Sequence, residues 1–367
     1  MIFVLFLVLT LYCLAILSLI YGFTKVNSFD FTRMEPKTKF SIIVPFRNEA
    51  ENLPKLLASF SKLNYPTEMF EVILVDDESE EVFSNQHSVF SVQIIDNIRV
   101  SNSPKKDAIS TAMTVAKNEW IITTDADCTV RKNWLSTLDN YIQLHNVSMI
   151  AGAVTYDCKN SFLHHFQQLD LASLQGATIG SFGLGKGFMC NGANFAYTKS
   201  FFEKLNGFEG NDSIASGDDV FLLQKAMAHS PEKVHYLKSQ NTTVTTKPVD
   251  DWKALFHQRV RWASKTGSYQ SKFGIGLGFI VFSGNLGFLF GVYGLLFGVG
   301  DFFILILVLL AKVIVDYILI HKTNGFLKNS TKFYLISSLL YPIFSVSVAL
   351  YAVTGKYEWK GRRFLNS

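Results

Sequence analysis

Charge is scarce in this chain. Of its 367 residues only 17% are Asp, Glu, Lys or Arg, while 49% are hydrophobic. Ordinary globular domains carry about 25% charged residues. The apolar content, with 33 Phe, excludes a disordered chain, which could not bury so much core-forming side chain. The balance of charge argues against a nucleic-acid binder: the formal net charge is only +4, and no basic run is interleaved with aromatics. Cysteine is also sparse. Cys13, Cys128, Cys158 and Cys190 show neither a CxxC pair nor a metal-ligand spacing, and read as structural thiols of a reducing compartment. Glycines crowd one stretch (Gly183, Gly185, Gly187, Gly192), but no Gly-Lys-Ser/Thr follows Gly187, which excludes a nucleotide P-loop. That stretch reads equally as a flexible loop or as backbone that approaches a sugar or acceptor closely.

The apolar residues are gathered in blocks. Residues 1–24 carry no charge, and neither a basic leader nor a small-residue cleavage site is present. Residues 1–23 are therefore expected to form a retained transmembrane helix, near the ~20 residues a bilayer requires. Residues 273–300 and 333–355 are again uncharged, and 302–321 are broken only by Lys312 and Asp316. The expected organisation is a first span, a globular domain over 36–250, an amphipathic interfacial helix within 251–272, three apolar segments over 273–355, and a basic tail over 356–367. Lys25, Arg33, Lys37 and Lys39 follow the first span and place the globular part on the cytoplasmic side of the cell membrane, the inner one where there are two. Lys356, Lys360, Arg362 and Arg363 argue the same for the tail, although three full spans would carry it across. One apolar segment is then expected to be interfacial or re-entrant, unless the tail breaks the rule. Lys312 and Asp316, one helical turn apart, are expected to neutralise each other inside the bundle, with a role in lipid handling as the other reading.

Between the apolar blocks, strands alternate with helices. Phe40–Pro45, Val72–Val75, Ile94–Ile95, Trp120–Thr123 and Met149–Thr155 read as strands, and Glu49–Leu63 and Ala108–Lys117 as helices. This predicts an α/β fold with a mostly parallel sheet, whose ligands bind beyond the carboxyl ends of the strands. Three strands end in polar or acidic residues: Arg47-Asn48-Glu49, Asp76-Asp77 and Asp125-Ala126-Asp127.

Those ends carry the candidate chemistry. Asp125 and Asp127 are spaced to hold one hard cation, Mg²⁺ or Mn²⁺, shared with substrate phosphates; a solvated acidic turn is the plainer alternative. Asp76 or Asp77 can accept from a nucleobase N–H or a ribose hydroxyl, or can cap a turn. Asp218-Asp219 opens a predicted helix, where acids suit the dipole or supply a general base. On the helix from Trp252 to Ala263, Arg261 is free to clamp a phosphate and Trp262 to wall a pocket, or both sit at lipid headgroup level. His164-His165 reads as an exposed helix face.

Taken in order, these pieces resemble the membrane-bound family 2 glycosyltransferases of GT-A (nucleotide-diphospho-sugar transferase, Rossmann-like) fold. The resemblance rests on Val44-Pro45-Phe46-Arg47-Asn48-Glu49, Val75-Asp76-Asp77, Lys105 with Ala108-Ile109, Asp125-Ala126-Asp127, Gly192-Ala193-Asn194, Asp218-Asp219 and Gln258-Arg259-Val260-Arg261-Trp262. It implies that Pro45, Asn48, Glu49 and Asp76 or Asp77 hold the nucleoside. Lys105, Asp125 and Asp127 would serve the diphosphate and its divalent metal, Asp219 would match the catalytic base with Asp218 beside it, and Gln258, Arg261 and Trp262 would match QxxRW near diphosphate and acceptor. Gly192 and Asn194 would lie toward the acceptor. The chain departs from the family pattern at Phe46 (often Tyr), Asp218 (often Glu) and Pro104 (Gly before the Lys).

The expected reaction is a single displacement with inversion, from a UDP-linked or other nucleotide sugar to a hydroxyl of a membrane lipid or lipid-linked acceptor. A processive polysaccharide synthase and a catalytically silent sugar-nucleotide-binding subunit are the alternatives; four apolar segments are few for a polysaccharide channel.

Overall fold

The structure is a computed structural model. It describes residues 2–81, 83, 89–211, 214, 216–354, 357–359 and 362–364, with Ile2, Thr354 and the last six by backbone alone. In chain order the elements are α1 (Ile2–Lys25), β1 (Phe40–Phe46), α2 (Leu53–Phe60), β2 (Phe70–Asp76), β3 (Ser91–Asp96), α3 (Pro104–Val115), β4 (Trp120–Thr123), α4 (Trp134–Leu144), β5 (Met149–Gly152) and β6 (Val154–Tyr156). There follow α5 (Phe162–Gly183), β7 (Phe195–Thr198), α6 (Lys199–Lys204), α7 (Asp218–His229), β8 (Val234–Leu237), β9 (Val244–Thr246), α8 (Trp252–Ser264), α9 (Lys272–Phe297), α10 (Phe302–Leu327) and α11 (Tyr334–Thr354). A backbone pair, β10 (Tyr357–Trp359) and β11 (Arg362–Phe364), falls in the stretch expected to be a basic tail; Lys356 and Lys360 lie outside the described residues.

The chain forms two compact units. One comprises 27–157 and 189–247. Its seven-stranded sheet has the order β3-β2-β1-β4-β7-β5-β8. All neighbours are parallel except β7, which runs antiparallel to both β4 and β5. The strands are near-continuous apolar runs because helices cover both faces of such a sheet; Phe40, Ile42, Val44, Val72, Leu74 and Ile122 are fully or almost fully buried in its core. Register aligns the carboxyl ends of three strands, with Phe46 opposite Asp76 and Asp76 opposite Asp96. Two helices begin on proline-containing turns. Pro104 is the first residue of α3, where its missing N–H costs nothing, and Pro54 lies in the first turn of α2. The helix expected over 49–63 is only the eight residues of α2, because residues 49–52 form a turn closed by Asn52 N–H to Glu49 O. The strand expected over 149–155 is divided at Ala153: β5 joins the main sheet, and β6 pairs in parallel with β9 in a separate two-stranded sheet.

The other unit comprises 1–26, 158–188 and 248–366. The globular segment expected over 36–250 is therefore interrupted, since α5 groups with the apolar helices. Phe3–Lys25, Lys272–Phe297, Phe302–Leu327 and Tyr334–Val353 are each long and apolar enough to cross a membrane. All three C-terminal apolar segments form helices of that length. The four helices leave large apolar side chains exposed, among them Phe3 of α1, Phe279, Phe303 and Leu335. Charge inside the unit is paired. Lys312, 3% exposed, lies 2.8 Å from Asp316, whose other carboxylate oxygen accepts from the Tyr12 hydroxyl of α1 at 2.6 Å. The Lys312 ammonium also lies 4.6 Å from the Tyr12 ring centre. Helices α1 and α5 touch backbone to backbone: a Cβ at Gly183 would stand 1.8 Å from the Gly22 carbonyl oxygen, and one at Gly180 2.4 Å from that of Leu19. Only glycine permits that approach.

Candidate active site

Three loops of the sheet unit meet beside the end of β4. Past Thr123 the chain makes a tight turn, with Cys128 N–H donating to Asp125 O at 3.1 Å. This turn brings a carboxylate oxygen of Asp125, one of Asp127 and the Cys128 sulfur within 4.8 Å of one another. The Thr246 hydroxyl of β9 orients Asp127 from 3.1 Å, and the Cys128 thiol lies 3.7 Å from its other oxygen. Two partly exposed carboxylates suit a hard divalent cation, so the donor set fits Mg²⁺ or Mn²⁺. The adjacent sulfur, which spacing of the four cysteines did not reveal, adds a softer donor to that group.

The second loop is the turn before β7. The Thr123 hydroxyl donates to Gly192 O at 2.8 Å, while Gly192 N–H donates to Asp219 Oδ2 at 2.8 Å. Val220 N–H holds the other Asp219 oxygen at 2.7 Å. A Cβ at Gly192 would fall 3.0 Å from Asp218 Oδ2 and 3.2 Å from Lys105 Nζ. The glycine is thus a close approach to the side chains of Asp218 and Lys105. The third loop enters α7 through Gly217, whose φ of 85° lies in the left-handed region. The helix then begins with Asp218, which is buried, and Asp219, which is partly exposed.

Lys105, in the first turn of α3, joins these loops. Its ammonium lies 2.7 Å from Asp125 Oδ1 and 3.5 Å from Asp218 Oδ2. Burial alone would depress its pKa, but Asp125, Asp218 and Asp219 outweigh it and hold Lys105 above the usual lysine range. Tyr197 on β7 is pushed up by burial and then by Asp218, with Lys105 opposing. Burial, followed by Asp127 and Asp125, raises the Cys128 thiol.

At the other end of the cluster, the β1 and β2 loops are laced together. Arg47 donates to the carbonyls of Asp77 and Glu78, both at 2.7 Å. Asn48, at a φ of 53°, donates its N–H to Ser79 Oγ and accepts from Glu80 N–H, each at 2.9 Å. Asp76 accepts from Ser79 N–H at 2.9 Å. Asp77 is buried and receives Asn97 Nδ2 at 2.7 Å and the Arg99 guanidinium at 3.3 Å. Arg99 is also paired with Asp107, whose carboxylate caps the N–H groups of Val100 and Ser101. Pro45 closes this wall in register with Val75, and Glu49 accepts from Asn52 at 2.5 Å.

Several assignments change. Asn194, expected toward the acceptor, is 3% exposed and fully engaged inward: Nδ2 donates to Ala153 O and Thr242 O, and Oδ1 accepts from Trp134. It is a structural tie, which also explains Gly152, where a Cβ would meet its amide at 2.4 Å. His164 is not on an exposed face. It is buried, with Nε2 3.0 Å from Asp250 and Nδ1 accepting from Lys159 N–H. Arg99, Asn97, Lys106 and Tyr197 escaped notice, since isolated polar residues near helix starts carry no pattern. Lys106 is 2% exposed, donates to Asn211 O and to Ile214 O, and lies 5.1 Å from the Phe221 ring centre.

In the unit of apolar helices, α8 carries Gln258, Arg261 and Trp262, all partly exposed. Its apolar side packs on α11 through Val260, Val348 and Ala352, with Phe256, Ala263 and Phe344 beside them. The unexpected residue is Arg259, 5% exposed. It is 2.5 Å from Asp170 of α5, 4.2 Å from the Trp262 ring centre, and donates to Gln258 Oε1. Tyr341 of α11 hydrogen-bonds the same Asp170. One buried guanidinium therefore touches both ends of the Gln258–Trp262 signature.

A mostly parallel sheet whose acidic turns converge on a helix-borne acid pair is the GT-A architecture of nucleotide-sugar transferases. Residues 41–206 match the model of glycosyl transferase family 2. Among curated relatives it is 27% identical over 124 residues to Glycosyltransferase AglE of Haloferax volcanii, covering 33% of this chain and 40% of that protein. It is 25% identical over 246 residues to the probable glycosyltransferase YdaM of Bacillus subtilis, covering 63% of this chain and 56% of that protein. The matches thus span about half the length of these relatives. Among solved structures, the fold is similar to that of a mannosyltransferase from Pyrobaculum calidifontis in complex with GDP-Man and Mn²⁺, with a TM-score of 0.54 at 13% identity over 92% of this chain and 99% of that one.

Proposed function

We propose that the protein is an inverting hexosyltransferase of a cell membrane, with its sheet unit in the cytoplasm. It moves a sugar from a nucleoside-diphosphate sugar to a hydroxyl of a membrane lipid or lipid-linked acceptor. The observation that carries this reading is the junction of Asp125, Lys105, Asp218, Asp219 and Gly192 beyond the carboxyl end of β4. Asp76 and Asp77, with Asn48, Pro45 and Glu49, form the nucleoside end of the site. Asp125 and Asp127 would hold a divalent cation, which when bound supplies Lewis-acid stabilisation of a diphosphate leaving group. The Pyrobaculum enzyme, described with GDP-Man and Mn²⁺, supports that pairing of nucleotide and metal.

Asp219 is the base. Its carboxylate is fixed by Gly192 N–H and Val220 N–H and stays partly exposed. It takes the acceptor proton as the acceptor oxygen bonds to the anomeric carbon and the bond from that carbon to the diphosphate breaks. The electron pair leaves with the diphosphate, so one displacement inverts the configuration. Arg261 and Trp262, through the signature they share with the family, are assigned to the diphosphate and the acceptor. The four apolar helices support a lipid acceptor delivered from the bilayer.

The test is mass spectrometry of lipids from cells expressing the chain or its Asp219→Asn variant, with turnover of UDP- and GDP-sugars measured on their membranes. A single added hexose that disappears in the variant is expected, with the rate falling about 10²–10⁴-fold, the usual worth of a general base, and donor affinity little changed. Long polymers would move the reading to a processive synthase. No sugar-nucleotide turnover by the wild type would leave a silent binding subunit.

A further inference from the structure

Lys105 lies where two demands meet. Its ammonium contacts Asp125, one of the two carboxylates assigned to the cation, and reaches Asp218, the neighbour of the base. Lys106, next along α3, is anchored to the carbonyls of Asn211 and Ile214 and fixes the start of the helix from which Lys105 extends. Lys105 itself keeps a four-carbon stem and a side chain 21% exposed. Such a compact charge on a flexible stem can move between two carboxylates without moving the backbone. A divalent cation on Asp125 and an ammonium 2.7 Å from the same carboxylate repel each other at short range. Asp218 is close enough to take the ammonium over.

We propose that Lys105 is a resident positive charge that a divalent cation must displace from Asp125, and that the displaced ammonium is held by Asp218. This inference rests on the reading of Asp125 and Asp127 as the cation site. It gives the two acids of α7 different roles. Asp218 receives Lys105 and is neutralised by it. Asp219, held by Gly192 and Val220, remains the group open to an acceptor. Loading of the cation end thereby sets the charge around the base.

The experiment is Mn²⁺ binding to the purified full chain in detergent, without donor, followed by the electron paramagnetic resonance of free Mn²⁺. Thermal unfolding of each variant confirms the fold. Lys105→Met should bind Mn²⁺ about 10-fold more tightly than wild type, because the competing charge is gone. Lys105→Arg should stay within about two-fold of wild type, because the charge is kept. Asp218→Asn should weaken Mn²⁺ binding in the wild-type background more than in the Lys105→Met background, since the hand-over needs both residues. Equal or weaker binding by Lys105→Met overturns the displacement, and an equal Asp218→Asn effect in both backgrounds overturns the hand-over. If Lys105→Met does not fold, Lys105→Gln takes its place with the same expectation. A wild type that binds no Mn²⁺ overturns the cation-site reading itself, a result distinct from either of these.

Discussion

The two units handle charge in opposite ways. In the sheet unit, Lys105 faces Asp125 and Asp218 with Asp127 and Asp219 close by, and several of these groups keep contact with solvent. In the unit of apolar helices, two ion pairs are matched and drawn into the packing: Lys312 with Asp316, and Arg259 with Asp170. An excess of carboxylate within reach of water can receive a cation, a diphosphate's metal or a proton. A matched pair in an apolar setting can do little except hold helices together, and removing one member leaves the other stranded. Substitutions in the acidic junction should therefore cost activity at nearly constant stability, and those in the matched pairs should cost stability.

The sharpest break of this contrast is Asp127→Ala. It should abolish transfer and weaken donor binding, with the unfolding midpoint nearly unchanged. Activity assayed with EDTA and then with added Mn²⁺ or Mg²⁺ checks the cause, and full activity in chelator would exclude the metal. Next is Arg261→Lys. Arg261 belongs to the helical unit but is partly exposed on α8, and is expected to follow the first rule. Lys keeps the charge and loses the planar fork, so a large loss of turnover with the protein folded and membrane-bound is expected. Wild-type turnover would leave α8 as an interfacial anchor only.

The matched pairs provide the smaller effects. Arg259→Met should destabilise the chain by about 3–5 kcal/mol by stranding Asp170, and Arg259→Met with Asp170→Leu should recover most of that loss. Denaturation of the detergent-solubilised variants reads both. Tyr12→Phe removes one hydrogen bond to Asp316 and should cost only about 0.5–1.5 kcal/mol by the same measurement.

The same contrast explains what could be read from the chain. Buried parallel strands are legible as apolar runs, and their acidic ends stand out against so little charge elsewhere; Asp76 and Asp125 were visible for that reason, and Asp218 as an acid opening a helix. Strand β7 was not, because four residues that include a Tyr and a Thr show no period. The break at Ala153 was hidden because β5 and β6 are both apolar and differ only in partner. Lys312 and Asp316 were legible as a pair because they lie one turn apart, whereas pairs between distant elements are the least legible feature. Arg259 stands 89 residues from Asp170 and His164 stands 86 from Asp250, and an ionisable residue on a helix reads as solvated until its distant partner is known. Asn194 misled for the opposite reason: its motif is recognisable, but its side chain is consumed by Ala153, Thr242 and Trp134.

The seam between α1 and α5 limits how the protein can be cut. In sequence, α5 lies between the two stretches of the sheet unit, so a fragment excised over 27–247 to remove the apolar helices carries α5 with it. That fragment would expose a glycine-lined groove made to receive Gly22 and Leu19. It would also leave Gln168 without Asn324 and Asp170 without Arg259 and Tyr341. Such a helix has neither the apolar coat of a span nor the polar coat of a soluble surface. The excised enzyme should need detergent even though every predicted crossing has been removed.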